Sequence, residues 1–255
     1  MTPPLNRLEP LNENWQTGLA IVAHPDDLEY GAAAAIARWT MQGKQVSYCL
    51  LTSGEAGIDG VPPDEAKVIR EAEQRASAAI VGVDAVEFLG FPDGILEYGL
   101  PLRRAVARAI RGRRPEIVIT NNLRDTWDAE ELGRGFTPLN HADHIVSGRA
   151  ILDGIRDAAN RWVFTDLLDE GLPPWSGVRQ VWVAHSPLAA YGVDVTESFA
   201  RGVASLEAHE AYIKGLGRAD FDAGEFLESL GRRAGTHFGC KIATSFEVIR
   251  FTSDD

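Results

Sequence analysis

Cysteine is scarce in this chain. Cys49 and Cys240 are the only two, too far apart to suggest a disulfide framework. Cys49 falls inside an apolar strand pattern, and inert packing is the expected role of both. Long apolar runs are also missing: no stretch approaches the ~18 consecutive residues that would cross a bilayer. The N-terminal stretch MTPPLNRLEPLNENWQTG has two early prolines and no apolar core, so it does not read as a signal peptide. Positive charge is in short supply. With 25 Lys and Arg against 37 Asp and Glu, the net charge is −12 and the pI about 5.0. Such a surface repels phosphate backbones and anionic lipid, which argues against nucleic-acid and membrane partners. A reducing cytoplasm is the expected compartment. No glycine-rich turn follows the first apolar run, so a nucleotide-dependent oxidoreductase is not indicated.

What is present reads as one domain spanning residues 1–255, without internal repeats or a linker. At 45% hydrophobic and 24% charged residues the composition is ordinary for a globular chain. A chain of this length needs no structural metal merely to fold. Apolar runs predict strands over residues 18–23, 45–51, 85–89, 116–120, 180–184 and 245–251. Helical patterns fall over residues 32–41, 62–80, 102–111, 141–158, 197–213 and 223–232. This alternation predicts an α/β, Rossmann-like three-layer sandwich: a mainly parallel sheet with helices on both faces. The stretch 121–140 has no convincing periodicity, and loops of that length in compact domains are usually functional or disordered.

Ligands of open parallel sheets bind beyond the carboxyl ends of the strands. His24-Pro25-Asp26-Asp27 follows the first strand, Thr52 to Gly57 the second and Gly90 to Gly94 the third. The long loop after the fourth ends in Asn140-His141-Ala142-Asp143-His144. By itself the Asp pair reads equally well as turn and cap residues. The histidine pair, three apart and on one helix face, reads more readily as a polar helix start. Together they offer two His and one Asp, a mixed N/O set that suits zinc with a fourth position left for water. Closed structural zinc sites favour cysteine, so a metal here would be catalytic.

Ala23-His24-Pro25-Asp26-Asp27 and His141-Ala142-Asp143-His144 resemble the A-H-P-D-D and H-x-D-H motifs of the LmbE-like or PIG-L-like zinc de-N-acetylases. Arg70-Glu71-Ala72-Glu73, Phe91-Pro92-Asp93-Gly94 and the segment Ala204 to His209 extend the resemblance across most of the chain. It implies that His24, Asp27 and His144 bind Zn²⁺, although other divalent transition metals suit the same donors. It further implies Asp26 as general base and His141 as oxyanion stabiliser or acid, with Asp143 orienting His141. Arg70 matches a position that holds substrate hydroxyls. The implied activity is removal of an acetyl group from an N-acetylated amino sugar, such as an N-acetylglucosamine derivative, or from a small glycoconjugate. An amidase acting on a larger acyl group of a thiol-sugar conjugate is the alternative within the enzyme class; a non-catalytic metal- or sugar-binding protein is the one outside it. Some relatives are trimers or hexamers, which makes a homo-oligomer an expectation too.

Other residues carry weaker signals. Arg70 lies in a charge-dense helix that would otherwise read as a solvated face. Asp93 and Glu55 are candidate substrate contacts at the same sheet edge, and Trp127 is a candidate lid or sugar platform. His185 follows a strand and has a smaller claim; His209 and His237 read as structural. Thr137-Pro138-Leu139-Asn140 stands where many relatives have glycine and aromatic residues, and residues 124–136 look individual to this chain. Substrate choice is expected to reside there.

Overall fold

The computed structural model describes residues 7–127, 136–217 and 220–252. In chain order come β1 (Glu9–Pro10), β2 (Thr17–Val22), α1 (Asp27–Gly31), α2 (Ala33–Met41), β3 (Gln45–Leu50), α3 (Pro63–Ile80) and β4 (Val86–Phe88). There follow α4 (Leu100–Arg113), β5 (Ile117–Thr120), α5 (Ala142–Ala159), α6 (Asp166–Asp169), β6 (Gln180–Ala184) and β7 (Tyr191–Asp194). The rest is α7 (Phe199–Glu207), α8 (Glu210–Gly215), α9 (Ala223–Phe238) and β8 (Ala243–Arg250). The eight strands form one sheet in the order β1-β7-β8-β6-β5-β2-β3-β4. Only the pairings of β8, with β6 and with β7, are antiparallel.

Two-residue alternation divides the core between the faces of this sheet. In β2, Leu19 and Ile21 join one apolar cluster and Ala20 and Val22 the other. In β6, Val181 and Val183 side with the first pair, Trp182 and Ala184 with the second. Helices α4 and α5 cover one face through Val106, Ile110, Ala150 and Ile151. On the opposite face α2 brings Ile36 and Trp39 against Trp15, Trp182 and Phe246. The Trp15 ring stands edge-on to those of Trp39 and Trp182 at 5.4 and 5.7 Å, a favourable arrangement of aromatic quadrupoles. The expected sandwich is therefore what the chain forms.

Several details differ from the sequence reading, which had no β1, α1 or α6. Strand β7 was not expected, since Tyr191-Gly192-Val193-Asp194 is short and interrupted by glycine. The helix expected over residues 197–213 is two helices, because the backbone leaves the helical region at His209 and buries that ring completely beside Glu29. The last helix runs beyond residue 232 through Gly235. A Cβ there would come within 2.8 Å of the Cys240 carbonyl, so glycine marks where the turn after α9 folds back on the helix rather than a helix end.

Strand β2 has β3 on one side and β5 on the other. Chain connections leave in opposite directions at this point, and the crevice so opened is where such sheets hold ligands. Among the described residues no helix is long and apolar enough to cross a membrane. Trp182 is fully buried at the centre of the aromatic cluster. Trp182→Ala is expected to lower unfolding free energy by roughly 3–5 kcal/mol, read from the shift in a urea denaturation midpoint.

Candidate active site

The turn after β2 takes an unusual path. Asp26 has φ of 83°, a left-handed conformation uncommon outside glycine. Its N–H donates to Gln74 Oε1 at 3.0 Å, and Arg70 Nη2 donates to both the Pro25 carbonyl at 2.7 Å and Asp26 Oδ2 at 2.9 Å. The turn sends the adjacent carboxylates apart. Asp27 curls back over the loop, accepts the His24 N–H at Oδ2 (2.9 Å) and lies 2.9 Å from His144 Nε2 through Oδ1.

Both flanking histidines have their second nitrogen occupied. His24 Nε2 lies 3.2 Å from Asp143 Oδ2 and 3.1 Å from Asp93 Oδ1, which leaves Nδ1 on the Asp27 side. His144 Nδ1 lies 2.9 Å from Asn140 Oδ1, which leaves Nε2 for Asp27. Outer partners of this kind are what orient metal-binding imidazoles. One ligand atom each from His24, Asp27 and His144 lies within 4.8 Å of the others. The donors fit a divalent transition metal held by two imidazoles and a carboxylate. His24, His141 and Asp143 satisfy the same distance test, but Asp143 already accepts the Gly94 and Leu96 N–H groups at 2.8 and 3.1 Å. It therefore serves better as a support than as a ligand.

The electrostatics agree. Burial would lower the His24 pKa, yet its hydrogen bonds to Asp143, Asp27 and Asp93 outweigh this and push it up to about 12. Burial likewise opposes ionisation of Asp27, but His144 and His24 hold it well below the usual carboxylate range. Burial raises the Asp26 carboxyl above its ordinary value, with Arg70 opposing and Asp27 reinforcing the shift. The His141 pKa is lowered by burial and by the neighbouring His24 and His144. Its Nδ1 accepts the Asp143 N–H at 3.2 Å, so in the neutral ring Nε2 carries the proton.

These groups line a cavity of about 540 Å³. Asp26, His141, Arg70, Asp93 and Trp127 border it, with the Trp127 ring edge-on to His144 at 6.1 Å. Arg70 is buried rather than on a solvated face. Its guanidinium stacks on Tyr212 at 3.9 Å, and its buried Nε and Nη1 have no hydrogen-bonding partner among the described residues. A Cβ on Gly54, whose φ is +66°, would come within 2.8 Å of Arg70 Nε, so a bare backbone lets the guanidinium in. Glu55 does not line the cavity. It accepts the Ser53 and Asp93 N–H groups at 3.2 and 3.0 Å and braces the loops after β3 and β4 against each other. The Asp143 carboxylate, expected to orient His141, bonds His24 instead; only its backbone reaches the His141 ring. His185 does border the cavity, whereas His209 lies in the core and His237 on α9 away from it.

The sequence reading missed Asn140, Tyr212, Asn121 and the apolar wall formed by Tyr30, Leu216, Phe226 and Leu230. Asn140 ties the ends of the long loop together, donating to the Asn122 and Arg124 carbonyls at 2.8 and 2.9 Å while Oδ1 accepts the His141 N–H at 2.8 Å. Its spacing of four before His144 was the available signal. Within that loop, residues 128–135 lie outside the described residues.

The model of a family described as "PIG-L: GlcNAc-PI de-N-acetylase" matches residues 19–155, from β2 to near the end of α5. The chain belongs to the PIG-L family. Among its PIG-L-related neighbours, the diacetylchitobiose deacetylase of Thermococcus kodakarensis is 31% identical over 209 residues, covering 80% of this chain and 72% of the relative. The structure of N,N'-diacetylchitobiose deacetylase from Pyrococcus horikoshii superposes with a TM-score of 0.80 at 22% identity, over 93% of this chain and 85% of the other. GalB of Pseudomonas putida KT2440, a 4-carboxy-2-hydroxymuconate hydratase, superposes at 0.72 with 18% identity, over 94% and 98%. A PIG-L-like fold thus accommodates different reactions, and the reaction has to be read from the site.

Two outcomes follow for this PIG-L member. A divalent cation coordinated through His24 needs the neutral ring, so its binding is expected to release protons at neutral pH. Calorimetry in two buffers of different ionisation enthalpy measures it. Asp143→Ala removes one of the two carboxylates at His24 Nε2 and is expected to weaken metal affinity about 10–100-fold, measured by chelator competition.

Proposed function

We propose that this chain is a metal-dependent N-deacetylase that removes acetate from an N-acetylated amino sugar or a small glycoconjugate of one. The observation that carries the reading is the division of labour in the Asp26–Asp27 pair. One carboxylate sits between two oriented imidazoles, and the other is turned into the same cavity and kept off the donor set by Arg70. His24, Asp27 and His144 are the ligands. Zinc suits these donors, and when bound it supplies Lewis acidity and lowers the pKa of a water toward 7.

The protein groups then have separate tasks. Asp26 takes the proton of the attacking water, a task suited to a carboxylate whose pKa is raised. His141 donates a hydrogen bond from Nε2 to the oxyanion that develops on the acetyl carbonyl, and the proton that Asp26 took from the water passes to the departing amine as the C–N bond breaks. Arg70 fixes Asp26 and borders the cavity where substrate hydroxyls would lie. Asp93 and Asp143 hold His24 in place, and Trp127 offers a flat face at the cavity edge. A purely binding protein has no use for a base beside the donor set, which favours hydrolysis over a non-catalytic role. Free cysteines at 49 and 240 suit a reducing cytoplasm.

Asp26→Asn is expected to reduce kcat for acetate release from N-acetylglucosamine derivatives by about 10²–10⁴-fold, with zinc content unchanged. Full activity in this variant would remove Asp26 as the base. Release of no amine from any acetylated sugar by the zinc-loaded wild type would remove the deacetylase reading itself.

A further inference from the structure

The cavity has a chemistry at one end that an unsubstituted sugar does not use. Beyond Asp26 its wall is made by Tyr30 at the end of α1, Leu216 just after α8, and Phe226 and Leu230 on α9. Phe226 and Leu230 are four apart and share a helix face. The Tyr30 and Phe226 rings meet edge-on at 5.8 Å, and Phe221 packs behind both at 6.3 and 5.8 Å. Ala184 and the backbone at Gly31 continue this surface toward His185. The charged groups of the cavity belong instead to the turn after β2, the loop after β4, the start of α5 and Arg70 on α3, while Tyr212 and His185 also line it. Sugar hydroxyls placed against Leu216, Phe226 and Leu230 would lose water without gaining partners, which is costly. A hydrocarbon group there would gain roughly 25 cal/mol for every Å² it buries.

We infer that this arm makes the enzyme selective for an N-acylated amino sugar that carries a hydrocarbon group, and that Leu216, Phe226 and Leu230 set the preference. The inference rests on the cavity being the amide-hydrolysing site. The hydrocarbon reaches the arm either from the anomeric oxygen, as an alkyl or aryl glycoside, or as a longer acyl chain on nitrogen. Both present the same surface to the arm.

The test uses the zinc-loaded protein with methyl, hexyl and phenyl N-acetylglucosaminides, N-hexanoylglucosamine and diacetylchitobiose. Calorimetric affinity and amine-release kcat/KM are both measured. The arm predicts that hexyl or phenyl glycoside, or the hexanoyl compound, is favoured over the methyl glycoside by roughly tenfold or more; which of them is favoured identifies the end that enters. Leu230→Asn and, separately, Leu216→Asn should bring that ratio toward one, and Leu230→Met should restore it, a pattern that a general loss of fold would not give. Equal affinity for methyl and hydrocarbon-bearing ligands, or a preference that survives both polar variants, overturns the inference. Selective binding without any amine release keeps the arm and rejects the deacetylase reading.

Discussion

The left-handed turn at Asp26 is the constraint on which the site depends. In an extended or helical path, neighbouring residues at a strand end could not send one carboxylate between His24 and His144 and the other to Arg70. The conformation is a local cost of order 1 kcal/mol or more for a residue with a side chain, and the surroundings hold it from three sides. Gln74 takes the Asp26 N–H, Arg70 binds the Pro25 carbonyl, and Asp27 accepts the His24 N–H. Gln74 is in turn held by Glu29, which also accepts from Ser77. The strain therefore sits at the cavity wall, held by groups that line the cavity and by the buried Gln74–Glu29 pair behind them.

Much of this was legible. The central strands announced themselves as continuous apolar runs, because a strand covered on both faces has no polar side to show. The ligand candidates His24, Asp27 and His144 were legible for a different reason: they follow strands that the topology brings to one edge. What a sequence shows poorly is direction. Asp143 lies between two histidines, so adjacency suggested a task on His141. In the first turn of α5 its carboxylate instead points back to the loop after β4 and reaches His24. Glu55 misled in the same way, since a charge on a glycine-flanked loop looks available until both its oxygens are seen holding backbone N–H groups.

Arg70 shows a third limit. Its helix is charged enough to read as solvated, yet Ala66, Arg70, Gln74 and Ser77 are buried. They recur at a helical period on one face. A buried stripe that is polar carries no hydrophobic signal, and only its partners in the turn at Asp26 explain it. Asn140 went unread because a single asparagine before a motif looks like a cap. Its side chain does more, closing the long loop at its base and fixing one imidazole of the donor set at once.

Strand β8, last in sequence, lies between β6 and β7 in the sheet. On the ribosome this sets an order. The polar loops that carry residues 24–144 emerge with the parallel half of the sheet, while β7 has no antiparallel neighbour until the final strand is made. Leu216 and helix α9, which carries Phe226 and Leu230, are synthesised just before that strand. The nascent chain thus carries the charged groups of the cavity before most of its apolar wall.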